Sequence, residues 1–488
     1  KKLISCYDRI ERFELRSDRE KIVIDGGSER NKLLELVKRI KDIDPDIILT
    51  NGGDSFLFPY LARRALINDV LNQFVLSRED VPLKAKLRHG ITFFSYGRVY
   101  YKAPIRRLLG RVHIDENNTF IYSSSGLEGL IEVSRTCRVP LHRAARASIG
   151  TIMSSLQLYT AIKDDILIPW KKTEPETFKS AWELLVADRG GFIYEPKVGV
   201  HDNVGELDFA SMYPMLMYKY NISAETVLCK CCPDSKIRVP ELGYHICQRR
   251  KGIVPKVLSL ILSKRLYYKR MRNQASDPEL RKIYDRRQDA LKWILVTCFG
   301  YLGYRNARFG KVDAHIAVCA FARDTLLKAA HIAEENGFEI VHGIVDSLWL
   351  RKDVASTKDF IDISRTIAEQ TGIPISFEGK YRWIVFLPSI TNRAIPVLNR
   401  YYGVFQDGEV KIRGLEARKR DTPEFIRRAQ LDMIGALAQA RNSDEFLERI
   451  PRAINVLRKY ALALVQRKVP LEQLLITVVR EELSFALE

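Results

Sequence analysis

Between Glu29 and Ile43 apolar residues return every three or four positions, which predicts an amphipathic helix. Ile22-Val23-Ile24 before it reads as a short strand. Asp46-Ile47-Ile48-Leu49-Thr50 after it reads as a buried strand running into a Gly52-Gly53 turn. Strand and helix signals then alternate to about Pro169, an α/β pattern. Around Glu206–Tyr213 a strand leads into a helix with Pro214 in its first turn. Two long helical stretches follow, about Pro255–Gln274 and Pro278–Phe299. They are joined by Ala275-Ser276-Asp277-Pro278, whose Ser and Asp are candidate N-caps, so an antiparallel helical hairpin is expected. Another helix, about Ile316–Asn336, ends at Gly337. Two short strands, Phe338–His342 and Asp346–Leu350, follow with a turn at Gly343 between them. Beyond about Arg418 the pattern is mainly helical. This order predicts an α+β, multidomain chain whose domains are discontinuous around the inserted hairpin.

A length of 488 residues is enough for several separately buried cores. No apolar run reaches the ~18 residues of a membrane span, and Lys1–Cys6 lacks the apolar stretch of a signal peptide. No membrane association is therefore expected. The first residue is not Met, so residues upstream of Lys1 are expected. The net charge of +19 points to a polyanionic partner, nucleic acid first, with anionic lipid or a merely solubilising surface as alternatives. The excess is uneven: Arg249 to Arg272 holds nine Lys/Arg and no Asp or Glu, a basic stripe on the first arm of the hairpin.

Eight cysteines are too few for a secreted disulfide scaffold of this size. Cys229, Cys231, Cys232 and Cys247 invite a zinc reading, but C-x-C-C is not two C-x2-4-C knuckles. No structural zinc is expected, leaving free thiols or a disulfide to Cys247.

Three segments carry candidate chemistry. The first is Asp208-Phe209-Ala210-Ser211-Met212-Tyr213-Pro214, a carboxylate at a strand end, able to hold a divalent ion with help from backbone carbonyls. A lone Asp at a strand end is more often a helix cap. The second is Lys292-Trp293-Ile294-Leu295-Val296-Thr297-Cys298-Phe299-Gly300, with Gln288 one turn earlier. Positions 288, 292, 296 and 300 fall on one helix face, so Gln288 and Lys292 are expected to point the same way. The third is Val341-His342-Gly343-Ile344-Val345-Asp346-Ser347 on the strand pair, where an isolated Asp-Ser would usually be a turn.

Taken in this order, the segments resemble motifs A (D-x-x-S-L-Y-P), B (K-x-x-x-N-S-x-Y-G) and C (Y-G-D-T-D-S) of the family B DNA polymerases. The resemblance implies a right-hand polymerase of palm, fingers and thumb, preceded by an RNase H-like exonuclease-type α/β domain. The expected divisions are 1–165 for the exonuclease-like domain, 166–248 and 312–395 for the palm, 249–311 for the fingers and 396–488 for the thumb. It assigns Asp208 and Asp346, with the Phe209 backbone, to two Mg²⁺ ions, Mn²⁺ being a substitute. It places Tyr213, Phe209, Ser211, Gln288 and Lys292 around the incoming nucleotide. Arg265, in Leu262-Ser263-Lys264-Arg265, matches an L-x-x-R whose Arg meets the triphosphate. Glu378 stands at an acidic palm position. Arg189-Gly190-Gly191-Phe192 is similar to the Y-x-G-G template linker, with Asp188 in place of Tyr, and Asn399-Arg400-Tyr401-Tyr402 stands where K-K-R-Y grips the primer–template minor groove. The implied partners are primer–template DNA and dNTP, with a sliding clamp or accessory repair proteins as candidates, and the implied location is cytoplasmic and nucleoid-associated.

The departures are informative. Ile344 replaces the first motif C Asp, Val345 the Thr and His342 the Tyr, while Val296, Thr297 and Phe299 replace Asn, Ser and Tyr of motif B. Asp44–Leu61 resembles exo II, with Leu57 for the catalytic Asp and Gly52 for the Asn, which makes Asp54 a loop residue. Tyr122–Gly126 is similar to exo III with Gly in the Asp position, and no counterpart of exo I is identified. This pattern is similar to a minor archaeal group with a disrupted motif C and an inactive exonuclease. It implies DNA synthesis without proofreading, suited to repair or damage bypass. The alternative is a catalytically weak or silent primer–template-binding scaffold, favoured by the degraded motif C. An RNA-making or RNA-directed polymerase is disfavoured by Tyr213.

Overall fold

The computed structural model describes residues 8–17, 20–83, 90–95, 98–170, 176–187, 189–419 and 421–476. Cys6 and Asp188 lie outside them. The chain forms two compact units: 1–166 with 260–297 and 480–488, and 167–259 with 298–479.

In the first unit, β1 (Phe13–Arg16) and β2 (Lys21–Ile24) form an antiparallel pair, followed by α1 (Glu29–Ile43) and β3 (Ile47–Thr50). After α2 (Phe58–Ile67), β4 (Ile91–Ser95) and β5 (Arg98–Lys102) make a second antiparallel pair. β6 (Val112–Asp115) then runs parallel to β3, as an α/β crossover requires. The helices α3 (Phe120–Cys137), α4 (Leu141–Ala144) and α5 (Ile149–Lys163) complete this part. The predicted helix over Glu29–Ile43 is reproduced. Its Leu33, Leu36, Val37 and Ile40 share one face and bury it against Phe58, Leu61 and Phe74.

A charged pair seals this core. Arg64 on α2 is bound by Glu29 in the first turn of α1 through both carboxylate oxygens, and the side chains are 5% and 10% exposed. Glu29 also accepts from the Ile10 N–H at 3.0 Å and from Asn68 at 3.0 Å. The Arg64 hydrogen bonds foremost, against the opposing effect of burial, hold the Glu29 carboxyl at about 2. Because this lies below the ordinary 4.5, the pair's stabilisation is full above pH 4.5 and fades as pH falls toward 2. Glu29→Gln is expected to destabilise the first unit by about 3 kcal/mol at neutral pH. The gap to the parent should close across that acid range. Hydrogen exchange of the α1 amides measures it in this unit alone.

The second unit opens with α6 (Ala181–Ala187), β7 (Ile193–Tyr194), β8 (Gly199–His201), β9 (Val204–Phe209) and α7 (Met212–Lys219). The long helices α8 (Ile253–Gln274) and α9 (Pro278–Gly303) pass from this unit into the first and back. The cap expected from Asp277 forms, its carboxylate accepting from the Glu279 N–H at 2.9 Å. Next come α10 (Val312–Glu335), β10 (Glu339–Ile344), β11 (Ser347–Arg351), α11 (Thr357–Thr371), β12 (Ile375–Pro388), β13 (Pro396–Phe405) and β14 (Val410–Arg413). The chain continues through α12 (Glu424–Leu437) and α13 (Ser443–Val465). Eight strands form one sheet in the order β14-β13-β12-β9-β11-β10-β7, with β8 also on β12. Its core packs Trp349, Tyr381, Phe386 and Tyr401 together. No helix among the described residues is long and apolar enough to cross a membrane.

Residues 396–413, within the span that the resemblance gives to the thumb, form β13 and β14 of this sheet, and Tyr401–Val404 pair with β12 on one side and β14 on the other. One expectation changes. The turn between β10 and β11 lies at Val345-Asp346 and not at Gly343, which is a strand residue opposite Leu348 and Tyr194. A Cβ at Gly343 would come within 3.0 Å of Leu348 and 3.4 Å of Tyr194, so this glycine serves close packing and not a bend.

Candidate active site

Strand alternation decides which side chains of β9 share a face: Glu206 and Asp208 on one, Leu207 and Phe209 on the other. β11 pairs antiparallel with β9 and places Ser347 opposite Asp208. The two-residue turn then sets Asp346 beside that pair. The Phe209 N–H donates to the Asp346 carbonyl at 2.8 Å, which ties the turn to the strand end. Val345 takes φ +56°, a conformation unusual for a β-branched residue. Its N–H donates to the Phe192 carbonyl at 3.0 Å. An open cavity of about 500 Å³ is lined by Asp208, Asp346, Glu378, Glu206, Lys411 and Arg413, among others.

The electrostatics suit a cation. Burial, and next the neighbouring Asp208, push the Asp346 carboxyl up to about 6. Burial also raises Asp208, against the hydrogen bond that Ser347 Oγ donates to its Oδ1 at 2.7 Å, with Glu378 and Glu206 adding repulsion. Glu206 itself is neutralised below the site: Lys411 pairs with one oxygen and Tyr381 donates to the other at 2.5 Å. Ser376, opposite Asp208 on β12, donates to Glu378 at 2.8 Å. Oxygen donors that repel one another, half-buried, are the set a hard divalent ion prefers.

Tyr213, in the first turn of α7, stacks on Phe299 with ring centroids 4.2 Å apart, and Phe299 stacks on His315 at 4.1 Å. Gly191 borders the same tyrosine, since a Cβ there would meet Val345 at 3.0 Å and the Tyr213 hydroxyl at 3.5 Å. Ser211 occupies the N-cap of α7 with φ +55°. Arg323 was not foreseen. From α10 its buried guanidinium donates to the Gly190 carbonyl at 2.7 Å and pairs with Glu241 at 2.6 Å, fixing the Gly190-Gly191 linker. An arginine directly after the apolar run Ile316–Ala322 was the available signal.

Arg265, Gln288 and Lys292 belong to the other unit. On α9, Lys292, Val296 and Gly300 are exposed along one face, Val296 by 61%. Gln288 is buried and donates to Asp289 at 2.8 Å, so it does not share that open face. On α8, Lys264 is committed to Glu132 at 2.7 Å, with Tyr268 on the other oxygen of that carboxylate. Arg265 is half-buried.

The DNA-contact candidates divide. Arg189 is exposed, and Arg400 is held by Glu416 at 2.6 Å. Tyr401, only 3% exposed, packs against Trp349 in the sheet core, so it carries no surface grip of its own. At the exo II segment Asp54 is not an exposed loop residue. It is fully buried in the helical turn Gly53–Leu57, bonded by the Arg106 N–H at 2.8 Å and paired with Arg146 at 2.9 Å. Gly126 stands at a kink of α3, beside Glu128, which Arg286 binds at 2.8 Å.

The four cysteines set aside on spacing come together. The Sγ atoms of Cys229, Cys231, Cys232 and Cys247 all lie within 4.8 Å of one another.

Comparison with known proteins shows the family. The model of DNA polymerase family B matches residues 145–484, more than half of the chain. "DNA polymerase 2" of Saccharolobus solfataricus is 35% identical over 318 residues, covering 65% of this chain and 46% of that protein. A DNA polymerase of Archaeoglobus fulgidus is 26% identical over 94% of this chain and 60% of its own length. The chain thus spans roughly half of these relatives. The solved family B DNA polymerase of Pyrobaculum calidifontis shares the fold, with a TM-score of 0.65 over 96% of this chain and 64% of that one, at 24% identity. With its motif order and its family match in agreement, the chain belongs to DNA polymerase family B.

Proposed function

We propose that this chain carries out template-directed addition of deoxynucleotides to a primer 3′ end. The observation that carries the reading is the convergence of Asp208 and Asp346 on one cavity, each half-buried and neither in an ion pair among the described residues, the nearby Lys411 being bound to Glu206. Asp208 and Asp346 would hold Mg²⁺, or Mn²⁺ in its place, with Glu378 alongside. Bound there, two such ions supply charge stabilisation for both the attacking and the leaving oxygen. The protein's own groups do the positioning. Tyr213, fixed by Phe299, sits under the sugar and excludes a 2′-hydroxyl. Lys292 and Arg265 neutralise the triphosphate. Arg189 and the Gly190-Gly191 linker meet the template strand, and basic residues on α8 bind phosphate without reading sequence.

The same reading denies this chain proofreading. Leu57 and Gly126 offer no oxygen to a metal, and the nearby carboxylates Asp54 and Glu128 are already bound by Arg146 and Arg286. Synthesis without editing suits repair or damage bypass. The exposed apolar Val296 in place of a motif B asparagine agrees with a more permissive nascent base-pair site.

A silent primer–template-binding scaffold is the second reading, favoured by Ile344 at the position of the first motif C carboxylate. Primer extension separates the two. Elongation that requires template, complementary dNTP and Mg²⁺ or Mn²⁺ supports the enzyme. Tight primer–template binding without elongation under either ion supports the scaffold. Lys292→Ala is expected to lower kcat/KM for dNTP by about a hundredfold. Steady-state single-nucleotide insertion checks this, and an unchanged value would remove Lys292 from the triphosphate.

A further inference from the structure

Residues 220–252, between α7 and α8, contain no helix or strand. Two isolated bridges, Val227 with Ile246 and Arg238 with His245, are their regular pairing. A segment of this length without elements of its own is uncommon in a compact fold and needs another source of order. The four cysteines lie within it. The Sγ separations are 3.7 Å for Cys231–Cys232, 3.6 Å for Cys231–Cys247 and 3.7 Å for Cys232–Cys247, and Cys229 completes the group within 4.8 Å. All four thiols are free. A tetrahedral zinc ion with Zn–S bonds of about 2.3 Å sets its sulfurs about 3.8 Å apart. The observed spacing is that of the ligand shell around one ion.

We propose that Cys229, Cys231, Cys232 and Cys247 form a structural Zn²⁺ site with four thiolate ligands. Sequence spacing obscured it because Cys231 interrupts a C-x2-C knuckle, Cys229 to Cys232, whose remaining partner comes from Cys247. Four thiolates with no carboxylate or imidazole are a soft donor set that selects zinc over Mg²⁺ or Ca²⁺. Backbone N–H groups of Gln248 and Arg249 bond Cys232 Sγ, and His245 bonds the Cys229 carbonyl at 2.8 Å, so the surroundings hold the ligands in place. The role is structural, because four sulfurs close the coordination shell.

The site anchors the start of α8. Cys247 is fastened to Asn221, whose side chain donates to the Cys247 carbonyl and accepts from the Gly252 N–H, both at 2.9 Å. Glu225 accepts from the Ile253 N–H at 2.6 Å and Ser223 from the Val254 N–H at 3.3 Å, so the stapled segment caps this helix. Removing the ion should loosen the first turns of α8.

Elemental analysis of the full chain, purified with zinc in the medium, tests this. One zinc per chain is expected, released by a mercurial thiol reagent and reduced to background in Cys229→Ser/Cys232→Ser. As that variant can misfold, Co²⁺ substitution of the unmutated chain gives a second readout, a tetrahedral thiolate absorption spectrum. Hydrogen exchange on zinc release should rise at the α8 N-terminus. Substoichiometric zinc would overturn the proposal, whether the native chain shows four thiols titrating freely, an intact mass lacking four hydrogens from two disulfides, or iron in the metal's place.

Discussion

Asp346→Asn is expected to lower the single-turnover rate of nucleotide addition by about a thousandfold or more, and Asp208→Asn by a similar factor. On the proposed reading each exchange removes one negative charge from a site that binds positive ions, worth several kcal/mol of transition-state stabilisation, at 1.36 kcal/mol per tenfold. The fold should survive. The Phe209 N–H is bonded to the backbone carbonyl of Asp346, and an amide oxygen at 208 can still accept from Ser347. Primer–template affinity, which the proposal assigns to basic residues elsewhere, should change little, and fluorescence anisotropy on the same samples provides that control. A rate within tenfold of the parent for either variant would show that its carboxylate is not needed.

A primer labelled at its 3′ end should stay intact when incubated with excess protein, Mg²⁺ and no dNTP. The reason lies in the first unit. Where a metal-dependent nuclease needs carboxylates turned outward, Leu57 is apolar, and Asp54 is fully buried against Arg146 and the Arg106 N–H. Leu57→Asp by itself should therefore not create excision, because it supplies one carboxylate while Asp54 stays bound to Arg146. Metal-dependent release of the terminal nucleotide by both the parent and Asp346→Asn would contradict this reading.

The elements that carry the candidate residues were legible because each motif is local in sequence. Asp208 and Tyr213 sit at a strand-to-helix junction, Asp346 at a hairpin and Lys292 on a long amphipathic helix, and each motif signals its own element. What sequence could not supply came from pairing between distant segments. The neutralisation of Glu206 by Lys411 and Tyr381 depends on β9, β12 and β14 lying in one sheet. The same sheet takes in Pro396–Arg413, whose local pattern does not say which strands it pairs with. Helical periodicity grouped Gln288 with Lys292, but the packing around α9 buries one and exposes the other. Asp54 was misjudged because its partner Arg146 is far away in the chain. The cysteine group depended on a fold of the 220–252 segment that no local rule describes.

The most direct measurement is a crystal structure of the chain with primer–template, a non-reactive dNTP analogue and Mg²⁺. The account predicts metal ions at about 2.0–2.1 Å from oxygens of both Asp208 and Asp346, beneath the triphosphate. Ions held by the phosphates with neither carboxylate in contact, or the two carboxylates too far apart to share one, would contradict it.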